Sequence, residues 1–396
     1  MLTWFGFFLS IIVLMLVSRK NLAIGMFIGA LILAVFTVSS ESILQEFFSA
    51  FTDLPILLSA FAIGLIPIIG GILNATGQID NLVNNIRIGQ KAFLALSPAL
   101  IGMLPMPGGA LLSGPLVEKG GKGVSDSDKA GLNVWFRHVL YFVYPLAPSL
   151  IISTGVANLD MYQVIPYQAI LLIFSLVLGY IFFLRKAPGE IQYTDQFSWK
   201  RLLPPLTVIL VAPVLDFIFR LSVNPKELAT VIGVTASLIL ATIIGKVWTK
   251  GTKGFYTIIK DSKPWNFALM MIGIMTFLNI FNVSGIPQLI GGLGISVEIL
   301  CVVIGFFLGF GTGRIVTPAG IVIPIFLARF GPISPIIFAI TYFSIFLGYA
   351  LSPVHPCVTL TIEYFRTNIK DFFEAIAPPA LIALVVSYFL MILVRM

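Results

Sequence analysis

Ten stretches of this 396-residue chain stay apolar for long enough to cross a bilayer, at about 4–17, 21–39, 54–74, 132–157, 162–184, 202–221, 226–248, 265–283, 333–362 and 376–395. A helix rises about 1.5 Å per residue, so roughly 20 residues cover about 30 Å of hydrocarbon. With 58% apolar residues against 10% charged ones, a water-soluble fold of this length would lack the polar residues to cover its core. The expected class is an all-α polytopic membrane protein. Two further apolar stretches, 92–117 and 296–330, are rich in Gly and Pro and fit a single crossing poorly.

The net charge of +7 raises the question of a nucleic-acid partner, which the placement of the charges answers. If the N-terminus is outside and the ten crossings alternate, 19 of the 24 Lys and Arg fall on the inner side. Arg220, Lys226, Arg329 and Arg395 fall outside, and Arg314 lies within the membrane. Such a bias is the orientation signal of a membrane protein. It predicts a multi-pass protein of the cytoplasmic membrane with both termini outside, whose partner is the lipid bilayer and not nucleic acid. Arg19 and Lys20 follow the first apolar run and no basic residue precedes it, so that run reads as a retained helix and not a signal peptide.

The chain also repeats itself. "NATG" from Asn74 recurs as "NVSG" from Asn282, an offset of 282 − 74 = 208, and "PLAP" from Pro145 recurs as "PVHP" from Pro353 at the same offset. Between them "PGGALL" from Pro107 matches "PAGIVI" from Pro318. Each half then holds five crossings and one stretch that enters and returns. Five is odd, so the second half starts from the opposite face and the repeats are inverted, as in many transporters. The first repeat is expected over 1–190, with scaffold helices in 1–80, a re-entrant hairpin at 92–117, a broken helix at 132–157 and a closing helix at 162–184. The second is expected over 199–396, with scaffold helices in 202–283, hairpin 296–330, broken helix 333–362 and closing helix 376–395. Asn74 and Asn282 formally match a glycosylation acceptor, but Asn and Gly at a helix end read better as a cap.

Backbone that leaves the helix at membrane depth is tolerated only where protein buries it or a wet cavity receives it. Two hairpin tips, Leu104 to Gly109 and Gly309 to Pro318, and two P-x-x-P breaks meet that description. Their half-helix N-termini expose amides and a positive dipole end, which suits an anion. The candidate substrate-binding residues are Pro107, Gly108, Gly109, Ser149, Ser153, Thr312, Gly313, Arg314, Thr317, Ser352, His355 and Thr359. Arg314 either clamps a carboxylate or caps its hairpin. His355, set between two prolines, has three roles open to it: ligand contact, coupling proton, or a neutral ring bonded to a freed carbonyl. Its counterpart in the first half is Ala147, so its part is played once.

Other polar residues carry less. Asp216 and Arg220 read as a local ion pair, and Arg137 and His138 as the inner edge of the fourth crossing. Cys301 and Cys357 read as buried free thiols. With two histidines and no HExxH there is no sign of a metal or cofactor, and no nucleophile, base and orienting acid assemble into a catalytic set.

The P-x-x-P pair, "PMPGGA" and "GTGRIVTPAG" resemble the ion transporter superfamily, which includes gluconate permeases, dicarboxylate symporters and the membrane subunits of TRAP transporters. The chain looks most like a family of about ten-span prokaryotic proteins within it. That resemblance implies an elevator mechanism, in which hairpins and broken helices carry substrate past a scaffold, commonly in a homodimer. It also implies organic acids as cargo, with protons or sodium as coupling ion, and allows a separate periplasmic binding protein as a partner. The Ser-Asn-Thr motifs of the sodium-coupled dicarboxylate members are absent from both tips. The expected function is a proton-coupled transporter of a small organic anion, not an enzyme, with His355 as the proton candidate. The alternative within transport, a cation/proton antiporter, calls for intramembrane carboxylates, and the broken elements hold none near their centres.

Overall fold

The computed structural model describes the chain except for residues 1, 19, 104–108, 188, 190–192, 194, 195, 249–253 and 396. Among the described residues every regular element is helical. The first part of the chain forms α1 (Leu2–Ser18), α2 (Leu22–Thr37), α3 (Ser40–Thr52), α4 (Leu54–Ala75) and α5 (Gln78–Asn84), then α6 (Gln90–Gly102) and α7 (Gly109–Gly120). After these come α8 (Asp126–Val139), α9 (Pro148–Val156) and α10 (Met161–Phe182). The rest of the chain forms α11 (Trp199–Arg220), α12 (Glu227–Trp248), α13 (Phe255–Ser262), α14 (Pro264–Val283) and α15 (Ile286–Gly291). It ends with α16 (Gly305–Thr312), α17 (Val316–Phe330), α18 (Pro335–Leu351), α19 (Pro356–Tyr364) and α20 (Ile369–Arg395). A π-helical turn, Ile299–Ile304, leads into α16.

Seven helical stretches among the described residues are long and apolar enough to span a membrane, and the chain is a membrane-embedded protein. α1 and α2 are apolar but shorter, at 17 and 16 residues. Two starts fall earlier than hydropathy places them. α8 begins at Asp126 and α20 at Ile369, because α8 opens with Asp126 and Asp128, and the first two turns of α20 carry Lys370, Asp371 and Glu374, which a helix accepts and an apolar window rejects. The acidic loop after α2 is also a helix in part. α3 is amphipathic, with Leu44, Phe48 and Phe51 spaced along one outward face and Ser49 bonded by Asn279 Nδ2 at 2.9 Å.

α4 and α14 end alike. The NATG and NVSG tetrapeptides close on Gly77 and Gly285, both left-handed, at φ 69° and 73°, so these tetrapeptides act as helix stops.

The helices sort into two groups. One is a row in which α1 packs on α2, α2 on α14, α14 on α4, α4 on α12, and α12 on α11. The other gathers α6 to α10 with α16 to α20. Within it α16 and α18 lie backbone to backbone. A Cβ on Gly309 would collide with the Ile345 carbonyl, and one on Gly348 with the Phe306 carbonyl. Small residues allow this approach, which in lipid substitutes dispersion contact for the missing hydrophobic drive.

Asp216 of α11 is fully buried and ties the second group to the row. Tyr162 of α10 donates to its Oδ2 at 2.6 Å, Thr230 of α12 donates to its Oδ1 at 2.8 Å, and Arg220 lies 3.5 Å away. The local ion pair read from the sequence is therefore one edge of a three-helix network. Asp160, which caps α10, extends it by bonding Lys226 Nζ at 2.7 Å.

Candidate functional site

The spacing of P-x-x-P has a local explanation. In each break the first proline sits second in a four-residue turn, closed by Ala147 N donating to Tyr144 O at 3.0 Å or His355 N donating to Ser352 O at 3.1 Å. Proline suits that place because its φ is preset. The second proline, Pro148 or Pro356, is the first residue of the next helix, where the missing N–H costs nothing. The two roles fall three positions apart. Ala147 and His355 are thus the N-cap residues of α9 and α19, and neither side chain caps its own helix. The His355 ring is left free to point elsewhere.

Both helix starts open onto one cavity of about 450 Å³. Pro148 and Ser149 line it from α9, and Pro356 and Cys357 from α19. Gly109 contributes from the start of α7, Gly313 to Val316 from the turn between α16 and α17, and Leu22, Phe267 and Met270 from the row of helices. The cavity therefore lies on the seam between the two groups.

Gly313 explains how the turn reaches the break. Its φ is 59°, and a Cβ there would come within 2.8 Å of His355 N and 3.0 Å of the Val354 carbonyl carbon. Only glycine tolerates both the left-handed backbone and the contact.

Two guanidinium groups reach the cavity. Arg314 Nη2 donates to the carbonyl of Ser18, the last residue of α1, at 2.9 Å. Arg137 is 4% exposed, and its Nη1 donates to Gly109 O at 2.7 Å and Ser113 Oγ at 3.3 Å. By sequence Arg137 belongs to a membrane edge and Arg314 is the one basic residue at depth. The structure instead sets both in the same wall. Arg at the centre of a span costs about 2.5–3.5 kcal/mol on insertion scales. No described lining residue is Asp or Glu, so no carboxylate of the lining offsets these charges.

His138 also lines the cavity, buried beside Arg137. Its Nδ1 lies 2.8 Å from Val134 O; a carbonyl only accepts, so Nδ1 carries a proton, and in the neutral ring Nε2 keeps the lone pair. Its ring centroid is 5.0 Å from that of His355 and 5.2 Å from that of Tyr349. Little in the local sequence points to this. A pair of polar residues between Phe136 and Val139 was the one available signal, and it fits a membrane edge equally well.

The other expected site residues are distributed as follows. Gly109, Ser149, Gly313, Arg314 and His355 line the cavity. Ser149 Oγ is 2.8 Å from the Tyr342 hydroxyl. Thr312 and Ser352 sit behind the wall, bonding Leu308 O at 2.7 Å and Phe310 O at 2.5 Å. Ser153 and Thr317 are fully buried away from the lining with unpartnered hydroxyls, and Thr359 is on the protein surface. Pro107 and Gly108 lie outside the described residues.

Residues 3–394 match the family described as "Protein of unknown function (DUF401)". The chain belongs to the DUF401 family. No curated protein matches it. Among solved structures it is similar to the YdaH transporter of Alcanivorax borkumensis, with a TM-score of 0.58 at 14% identity, over 88% of this chain and 86% of that one. The DUF401 chain thus shares its fold with a membrane transporter.

Proposed function

We propose that this protein is a secondary active transporter that moves a small organic anion, a carboxylate, across the cytoplasmic membrane, coupled to a proton gradient. The observation that carries this reading is the convergence of Arg137, Arg314 and the N-termini of α9 and α19 on one cavity without a carboxylate in its described lining. Guanidinium groups bind carboxylates through paired, charge-assisted hydrogen bonds, and helix N-termini add amide donors. A bound acid would supply the missing negative charge. The lack of a carboxylate among the described lining residues also counts against a cation/proton antiporter.

The proposed mechanism is of the elevator type, between two inverted repeats. Its support is the order of the row, α1–α2–α14–α4–α12–α11, which reads the same from either end when each helix is exchanged for the one ten places along the chain. Likewise α19 packs on α7 as α9 packs on α17. The row would be the scaffold, and the hairpins with the broken helices would carry the site past it. The fold shared with the YdaH transporter supports a transport role in general.

The test is uptake of labelled carboxylates into proteoliposomes under imposed pH or sodium gradients. Gradient-driven uptake that is lost in Arg137→Ala and Arg314→Ala is expected. Absence of uptake for every acid in a broad panel would overturn the reading.

A further inference from the structure

The cavity wall also gathers three side chains of metal-ligating type. His138, His355 and Cys357 each offer one ligand atom, and these atoms lie within 4.8 Å of one another. The sequence spacing hides the set, because His138 sits at the end of α8 and the other two flank Pro356. We propose that these three residues form a site for a thiophilic d10 cation of the zinc class, open on its cavity side.

The residue types fit. Imidazole nitrogen and thiolate are the common zinc donors, and three protein ligands with one open position is the arrangement of reactive and exchangeable sites. The two rings are prepared for the task in different ways. His138 is oriented by its Nδ1–H bond to Val134 O, the kind of outer bond that fixes the tautomer of a metal-binding histidine and aims Nε2 outward. His355 is 2% exposed, and its Nδ1 has no hydrogen-bond partner. A buried polar nitrogen without a partner is costly, and a metal ion would satisfy it. Cys357 is the second residue of α19, and its place in the cavity lining brings a thiol beside the two rings.

Zinc bonds are about 2.0–2.3 Å long, so closing the set needs only side-chain adjustment around the cavity. On binding, the metal–sulfur bond replaces the S–H bond and the thiol proton passes to solvent. Arg137 and Arg314 oppose a bare dication. The thiolate offsets one charge, and an anion in the open position would offset the next. Metal and anion should therefore reinforce each other, and that clause alone rests on the anion-transport reading.

The experiment uses cobalt(II) as a spectroscopic stand-in for zinc, titrated into the purified full-length protein in detergent. A thiolate-to-cobalt charge-transfer band with tetrahedral visible bands is expected, bleached by added zinc. Cys357→Ser should abolish the charge-transfer band, His138→Gln should weaken binding at least about tenfold, and Cys301→Ser should change neither. Thermal melting without metal checks that each variant folds. Wild-type protein that takes up no cobalt, or a folded Cys357→Ser that gives the wild-type spectrum, would overturn the proposal. A missing spectrum leaves anion uptake untouched, and missing uptake leaves the spectrum untouched, so the two readings fail separately.

Discussion

Arg314 and Ser18 are joined by a hydrogen bond of 2.9 Å from the guanidinium to the last carbonyl of α1. The arginine that faces the cavity therefore also holds the end of α1, and one Arg carries five donors, enough for both partners at once. Arg314→Lys keeps the charge but offers a point donor in place of the planar fork. Affinity for a carboxylate ligand, read by thermal shift, is expected to fall about tenfold or more in Arg314→Lys, equivalent to about 1.4 kcal/mol, and to vanish in Arg314→Ala. Unchanged affinity in the alanine variant would confine Arg314 to the Ser18 contact.

Gly313→Ala should be destabilising and inactive. A methyl group there meets the His355 and Val354 backbone while φ remains near 59°, at a cost of about 1–3 kcal/mol for the strained backbone alone. Gly89→Ala is the control, since a Cβ at Gly89 meets nothing within 4 Å. Equal melting temperatures for the two variants would contradict the packing of the turn on the break.

Asp216→Ala removes the acceptor shared by Tyr162, Thr230 and Arg220 and leaves a buried guanidinium short of its partner. A loss of about 3 kcal/mol is expected, read as a lower midpoint in denaturant. A loss within experimental scatter would show that Asp160 alone suffices to hold Arg220.

Asp160, the N-cap of α10, makes stability depend on pH. Burial alone would raise its carboxyl, but the Lys226 bond, the Tyr162 amide and the Arg220 charge outweigh that and hold it below the usual range. A depressed carboxylate contributes stability above its unfolded pKa of about 3.9, and that contribution disappears as pH falls through the lower folded value. Asp160→Asn keeps a good cap and removes the charge. Its melting temperature should lie below wild type near neutral pH and converge with it below about pH 4. A gap that stays constant down to acid pH would show that the charge of Asp160 does not carry the effect.

What the sequence disclosed followed the range of the interactions involved. The P-x-x-P breaks were legible because proline acts on its own backbone and the next residue. So were most of the long helices, since apolarity is summed along the chain. α3 escaped because its Leu44, Phe48 and Phe51 stripe lies among Glu41, Gln45 and Glu46, which dilute any running average. Arg137 escaped for another reason. Whether a basic residue meets headgroups or the Gly109 carbonyl depends on what the fold brings beside it, and no local pattern states that.

The contact at Gly309 and Gly348 limits how the cavity can change its opening. Main chain rests on main chain there, with no side chain between to act as a bearing. A flap swinging at the Gly313 turn alone would have to tear that seam. In any movement that alters the opening, α16 and α18 must travel as one welded plate, and larger residues at the seam should jam its assembly before they alter that movement.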